Sequence, residues 1–154
     1  MKQTLHLKRV IRVTFMAKPA PDNLPALTAF PQTRRVIGAV QVITASDELF
    51  NHVDGDLPMW SGDGDRSVTA NIIFEKAFND LPVIMIGLIG MDCDHSQNQR
   101  FGLNAINIRP TGFTIEFTTW GATHIARAGV SWQAIGEAKP NPIEAKDKAM
   151  KKAV

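Results

Sequence analysis

The sequence predicts an all-β protein, a six-stranded antiparallel β-sandwich. Short runs of alternating apolar and polar residues recur along the middle of the chain. Clusters of proline, glycine and aspartate separate them, and no core-forming helical period accompanies them. The clearest run is 112–119, where Phe113, Ile115 and Phe117 share one face and Thr114, Glu116 and Thr118 the other.

In chain order, prolines 19, 21, 25 and 31 make residues 17–33 an extended linker, so 1–33 reads as a basic, proline-rich extension. Met16-Ala-Lys-Pro offers an alternative translation start within it. The domain, 34–136, opens with a strand at 35–43 and continues into a turn-rich stretch at 54–66, where glycines and aspartates supply turns. Further strands are expected near 69–75, 82–91, 101–108, 112–119 and 129–135. The longest apolar run, 81–91, is too short to cross a bilayer, so no membrane insertion is expected. Its proline, glycines and β-branched residues mark a buried strand. Pro110-Thr111-Gly112 reads as a compact hairpin turn. Residues 137–154 form a charged tail that can add a helix: Asn141 suits the cap and Pro142 the first helical position. Glu144/Lys148 and Asp147/Lys151 are each four apart.

A chain of 154 residues suffices for one domain with a real core. Its net charge of +2 hides a division. Residues 1–35 carry seven lysines and arginines against Asp22, and 137–154 five lysines against three acids. Between them, five basic residues face eleven acids. An acidic body offers no cationic surface for phosphates, which argues against nucleic acid as a partner. Cys93 is the only cysteine, which excludes an intrachain disulfide and a cysteine-based zinc site and fits a reducing compartment. The N-terminus lacks a signal-peptide pattern, so the chain is expected to be cytoplasmic at synthesis, with non-classical release left open.

Nothing points to an enzyme or to a cofactor. His6, His52, His95 and His124 are scattered, no glycine-rich phosphate loop is present, and Cys93–His95 lacks a third group. Asp54, Asp56, Asp63 and Asp65 either serve turns or bind calcium; the ligand order of the helix-loop-helix calcium motif is absent, and no metal is assigned. The polar loop 91–100, which ends in Arg100, suits a polyol better. Aspartate accepts from hydroxyls and arginine offers a rigid fork of donors, although Arg100 could equally serve only a surface ion pair. Trp120 follows the 112–119 strand. If alternation persists, its indole emerges beside Thr118 and Glu116 as a ligand platform; if the strand stops at Thr119, it folds over a loop. Trp132 shares a face with Val130 and Ala134 and belongs in the core or at a subunit contact.

Asp92 through Arg100, Pro110-Thr111-Gly112-Phe113, Thr119-Trp120, Thr123 and Val130-Ser131-Trp132 stand in the order and spacing of the H-type lectin domain, which the chain resembles over about residues 36–136. Asn71-Ile72-Ile73-Phe74 and Leu81-Pro82-Val83 match its earlier strands. The resemblance implies a trimeric β-sandwich without enzymatic activity that binds galactose-type sugars, N-acetylgalactosamine in particular, near protomer boundaries. Arg100 aligns with the family's site arginine and Trp120 with its tryptophan. Asp63 aligns with its aspartate, although the Asp63-Gly64-Asp65 repeat leaves Asp65 open. Asn98 and Gly121 complete the candidate set. Two positions depart from the family's snail agglutinin: Gly121 replaces a histidine and Ala126 a tyrosine, each a sugar contact. The expected function is therefore multivalent recognition of galactose/N-acetylgalactosamine glycans. The alternative is a trimeric oligomerisation or attachment module whose sugar site has decayed.

Overall fold

The computed structural model describes residues 30–140. The predicted tail helix from Asn141 and most of the N-terminal extension lie outside them. Seven strands and one short helix follow in order: β1 (Gln32–Ile37), β2 (Val40–Asn51), α1 (Pro58–Ser61), β3 (Arg66–Ile73), β4 (Val83–Cys93), β5 (Phe101–Arg109), β6 (Gly112–Thr119) and β7 (Ile125–Glu137). They form two antiparallel sheets, one ordered β1-β2-β7-β4 and the other β3-β6-β5. The all-β antiparallel sandwich is as the sequence predicts.

The strand count is seven rather than six because the run expected at 35–43 is a hairpin. Ile37 pairs with Val40, and Gly38, at φ +61°, supplies the left-handed conformation that such a turn needs. Pairing begins at Gln32, within the stretch read as linker. Gln32 also bridges the two sheets, donating to the Ile73 carbonyl at 2.7 Å and accepting from the Glu75 N–H at 2.9 Å.

Alternation places Phe113, Ile115 and Phe117 of β6 inside, against Ile43, Phe50, Val130, Trp132 and Ala134 of the facing sheet. Trp132 is 2% exposed and meets Phe113 edge-on at 5.4 Å between ring centres. It therefore belongs to the core. Gln41, also buried, is engaged at both ends of its amide: Arg34 donates to its oxygen and its nitrogen donates to the Lys76 carbonyl.

The expectation of a buried strand at 81–91 is overturned. β4 lies at the edge of its sheet and pairs only with β7. Ile84, Ile86 and Leu88 pack against the core, whereas Val83 (67% exposed), Met85 (58%) and Ile89 (59%) face outward. A continuous apolar run is compatible with burial on both faces, but among the described residues no layer covers the outer one.

Candidate functional site

One end of the sandwich gathers three loops: 52–65 before β3, 94–100 before β5 and 120–124 before β7. Arg66, the first residue of β3, ties two of them together. Its Nη1 donates to the carbonyls of Pro58 (3.1 Å) and Gly62, and its Nε to that of Gly64 (3.1 Å). Its Nη2 reaches the carbonyls of Gly121 (3.1 Å) and Thr123 (2.7 Å). Burial lowers the pKa of this guanidinium from its usual value, with Asp63 opposing the shift. Arginine can do this because its planar fork carries five donors.

Two buried threonines position the third loop. Thr123 Oγ1 donates to the Asn98 carbonyl at 2.7 Å and accepts from the Arg100 N–H at 3.2 Å. Thr119 Oγ1 donates to the Arg100 carbonyl at 2.6 Å. Thr119 sits on the inward face of β6, where alternation would admit an apolar residue, and Thr123 is buried in the loop before β7. A hydroxyl continuing the inward row of Phe113, Ile115 and Phe117 was the available signal for Thr119.

The candidate residues converge unevenly. Arg66 pairs with Thr119, and Thr119 with Phe101. One residue beyond that row stand Asp65, Trp120 and Arg100, each at the end of its own neighbouring strand. β6 stops at Thr119, yet Trp120 remains 43% exposed and keeps to the face of Thr118 and Glu116. With Asp65, Ser67, Glu116 and Thr118 it lines a shallow depression of about 410 Å³. Asp63 turns away from it, with its Oδ1 3.5 Å from His124 Nε2, too poorly directed for a hydrogen bond. The His124 ring meets Trp60 edge-on at 6.2 Å. Gly121, at φ +66°, lies against Arg100, so that a Cβ there would come within 3.3 Å of its Nη1. Asn98 joins the group through its backbone. Ala126 is buried, so its position offers nothing to the surface. Ser67, Thr118 and Glu116 are lining residues that sequence reasoning left unassigned.

The other motifs separate. Asp54 accepts from Asn51 at 3.1 Å, and among the described residues no three histidine, cysteine or acidic side chains gather as a metal site. Burial, Asp92 and Asp94 push the Cys93 thiol up, away from nucleophilic thiolate, and His95 is fully exposed beside Asp94. The Asp94 carboxyl is held below its usual range, chiefly by the Ser96 N–H at 2.8 Å. No helix of the described residues is long and apolar enough to cross a membrane.

Residues 69–135, from within β3 to within β7, match the H-type lectin domain. This segment is an H-type lectin domain. Asn98, Arg100, Trp120 and Gly121 fall inside the matched lectin segment, and Asp63 and Asp65 just before it. The chain is 33% identical over 66 residues to a discoidin-1 of Dictyostelium discoideum, covering 42% of this chain and 26% of that one. It is similar to the ATP synthase subunits region ORF 7 protein of Fuscovulum blasticum, 38% identical over 105 residues, 68% of this chain and 91% of that protein. The fold of the chain is similar to that of recombinant discoidin II of Dictyostelium discoideum, with a TM-score of 0.57 at 20% identity. That likeness covers 66% of this chain and 39% of discoidin II, so this chain spans well under half of either discoidin.

Proposed function

We propose that the protein is a non-catalytic lectin that binds galactose/N-acetylgalactosamine-type sugars at the end of the β3-β6-β5 sheet. The observation that carries this reading is the row Asp65, Trp120, Arg100 on three neighbouring strand ends. A pyranose has an apolar C–H face that stacks on an indole, while its hydroxyls need fixed acceptors and donors. Asp65 lines the depression beside that indole and would supply acceptors; Arg100 lies against Gly121, outside the lining, and would supply donors from the next strand end. Asp65 suits the aspartate role better than Asp63, which lies beside His124 instead. Asn98 and Gly121 frame the arginine, and Gly121 leaves room above it.

A single site of this kind binds weakly, at about millimolar or −4 kcal/mol. Several sites on one particle raise avidity without new contacts. Support for self-association comes from β4, whose outer edge is unpaired within the described residues and which exposes Val83, Met85 and Ile89 along its length. A homotrimer packed through this strand would carry three sugar sites.

Calorimetric titration with N-acetylgalactosamine tests the site. Trp120→Ala is expected to abolish binding while leaving the sedimentation mass unchanged; binding that survives would refute the platform. The second reading, an attachment module with a decayed site, is favoured by Gly121, which places no side chain beside the indole. An intact trimer that binds no galactoside on a glycan array would establish it.

A further inference from the structure

The outward face of the β3-β6-β5 sheet continues beyond Trp120. We infer that it is an extended subsite strip for a linear neutral oligosaccharide, entered at Trp120 and ending at a second depression near Asn71 and Arg109. The inference rests on the lectin reading and names the class of ligand, a glycan chain rather than a single terminal sugar.

The register defines the strip. Ser67, Thr118 and Gly102 form one outward row, Thr69, Glu116 and Asn104 the next, and Asn71, Thr114 and Ile106 the third. From Trp120 to Thr114 the strand advances about 20 Å at roughly 3.4 Å per residue. At the far end lies a depression of about 480 Å³, lined in part by Asn71, Ile73, Asn107, Arg109 and Thr114. Thr114 Oγ1 donates to Asn71 Oδ1 at 2.9 Å, which holds that amide in place and leaves its N–H groups outside the bond. Asn107 adopts φ +52° at the bulge before Arg109, which re-aims the strand end. Ile73 is 77% exposed there. The far depression thus offers a set of groups comparable to the first: an apolar platform, a polar side chain held in place and an arginine.

The chemistry between the two ends also suits a polyol. A solvated sheet face ordinarily carries long charged side chains, yet Glu116 is the only charge in these three rows. Serine, threonine and asparagine lose little rotamer entropy on being fixed, and each offers both a donor and an acceptor to sugar hydroxyls. Gly102 keeps the strip low beside Thr118, where a Cβ would come within 2.8 Å of the Thr118 hydroxyl oxygen.

The test titrates the intact protein with galactose and with linear galacto-oligosaccharides up to a pentasaccharide. Affinity is expected to rise by about tenfold or more with length. In a variant combining Asn71→Ala and Arg109→Ala the gain should vanish while galactose affinity and melting temperature hold. Equal affinity for every length, or a gain that survives in the variant, overturns the strip and leaves the lectin reading intact. If galactose and all oligomers fail to bind, the lectin reading itself falls and the strip with it.

Discussion

Gly64 donates its backbone N–H to the carbonyl of Gly121 across 2.9 Å, which joins the loop before β3 to the loop after β6. Both glycines have positive φ, +77° and +66°. The two loops that flank Trp120 are therefore held by backbone conformations that other residues rarely adopt, and by the Arg66 guanidinium that reaches the same carbonyl.

Removal of Arg66 should loosen the whole end. Arg66→Met leaves five carbonyls without this donor. An expected loss of about 1–3 kcal/mol is measurable by urea unfolding, together with weaker sugar binding. Arg66→Lys should recover only part of it, because an ammonium cannot span both loops as the planar fork does. Full recovery by lysine would show that charge, not geometry, matters.

Gly121→Ala tests the left-handed position. The substitution is expected to destabilise the protein by about 1–2 kcal/mol, with Gly121→Asn milder. Its Cβ would also press on the Arg100 guanidinium, which can yield. Unchanged unfolding midpoints for both variants would contradict this account.

Trp132 and Trp120 should separate stability from binding. Trp132→Ala opens a cavity among Phe74 and Phe113 and should cost about 3–5 kcal/mol. Trp132→Phe should cost much less, since it also removes a buried indole N–H that has no partner among the described residues. Trp120→Ala should leave the unfolding midpoint nearly unchanged. A large shift there would make Trp120 a packing residue.

His52 gives a pH dependence of defined sign. Its Nδ1 accepts the Met59 N–H at 3.1 Å, which requires that nitrogen to be unprotonated, and burial lowers its pKa. Between that lowered value and the unfolded value of about 6.5 the unfolded chain binds more protons. The stability it contributes is therefore complete above about pH 6.5 and is lost as pH falls towards the lower folded value. Urea midpoints measured between about pH 8 and 5 should fall more steeply for the wild type than for His52→Asn. Parallel curves would remove His52 from the account.

Much of this was legible from periodicity. A period of two sends Phe113, Ile115 and Phe117 inward whatever lies around them, and it carries Trp120 to the outward face even though the strand ends one residue earlier. Proline-threonine-glycine at 110–112 was enough for the turn between β5 and β6. The hairpin at Gly38 was not legible, because apolar residues on both sides of one glycine read as a single strand. Nor was the exposure of β4: an apolar run does not say how many layers will cover it.

The amino-acid order by itself determined the fold class, the inward and outward faces of β6, and the residue types suited to a sugar, since these depend on neighbours along the chain. Only the tertiary structure decided which of them meet. Asp65 rather than Asp63 lies beside Trp120, Arg66 serves as a clamp of carbonyls, and two depressions share one sheet face. Those relations arise from cross-strand register and loop docking, in which hydrogen bonds between distant segments select one partner among several that local pattern leaves equivalent.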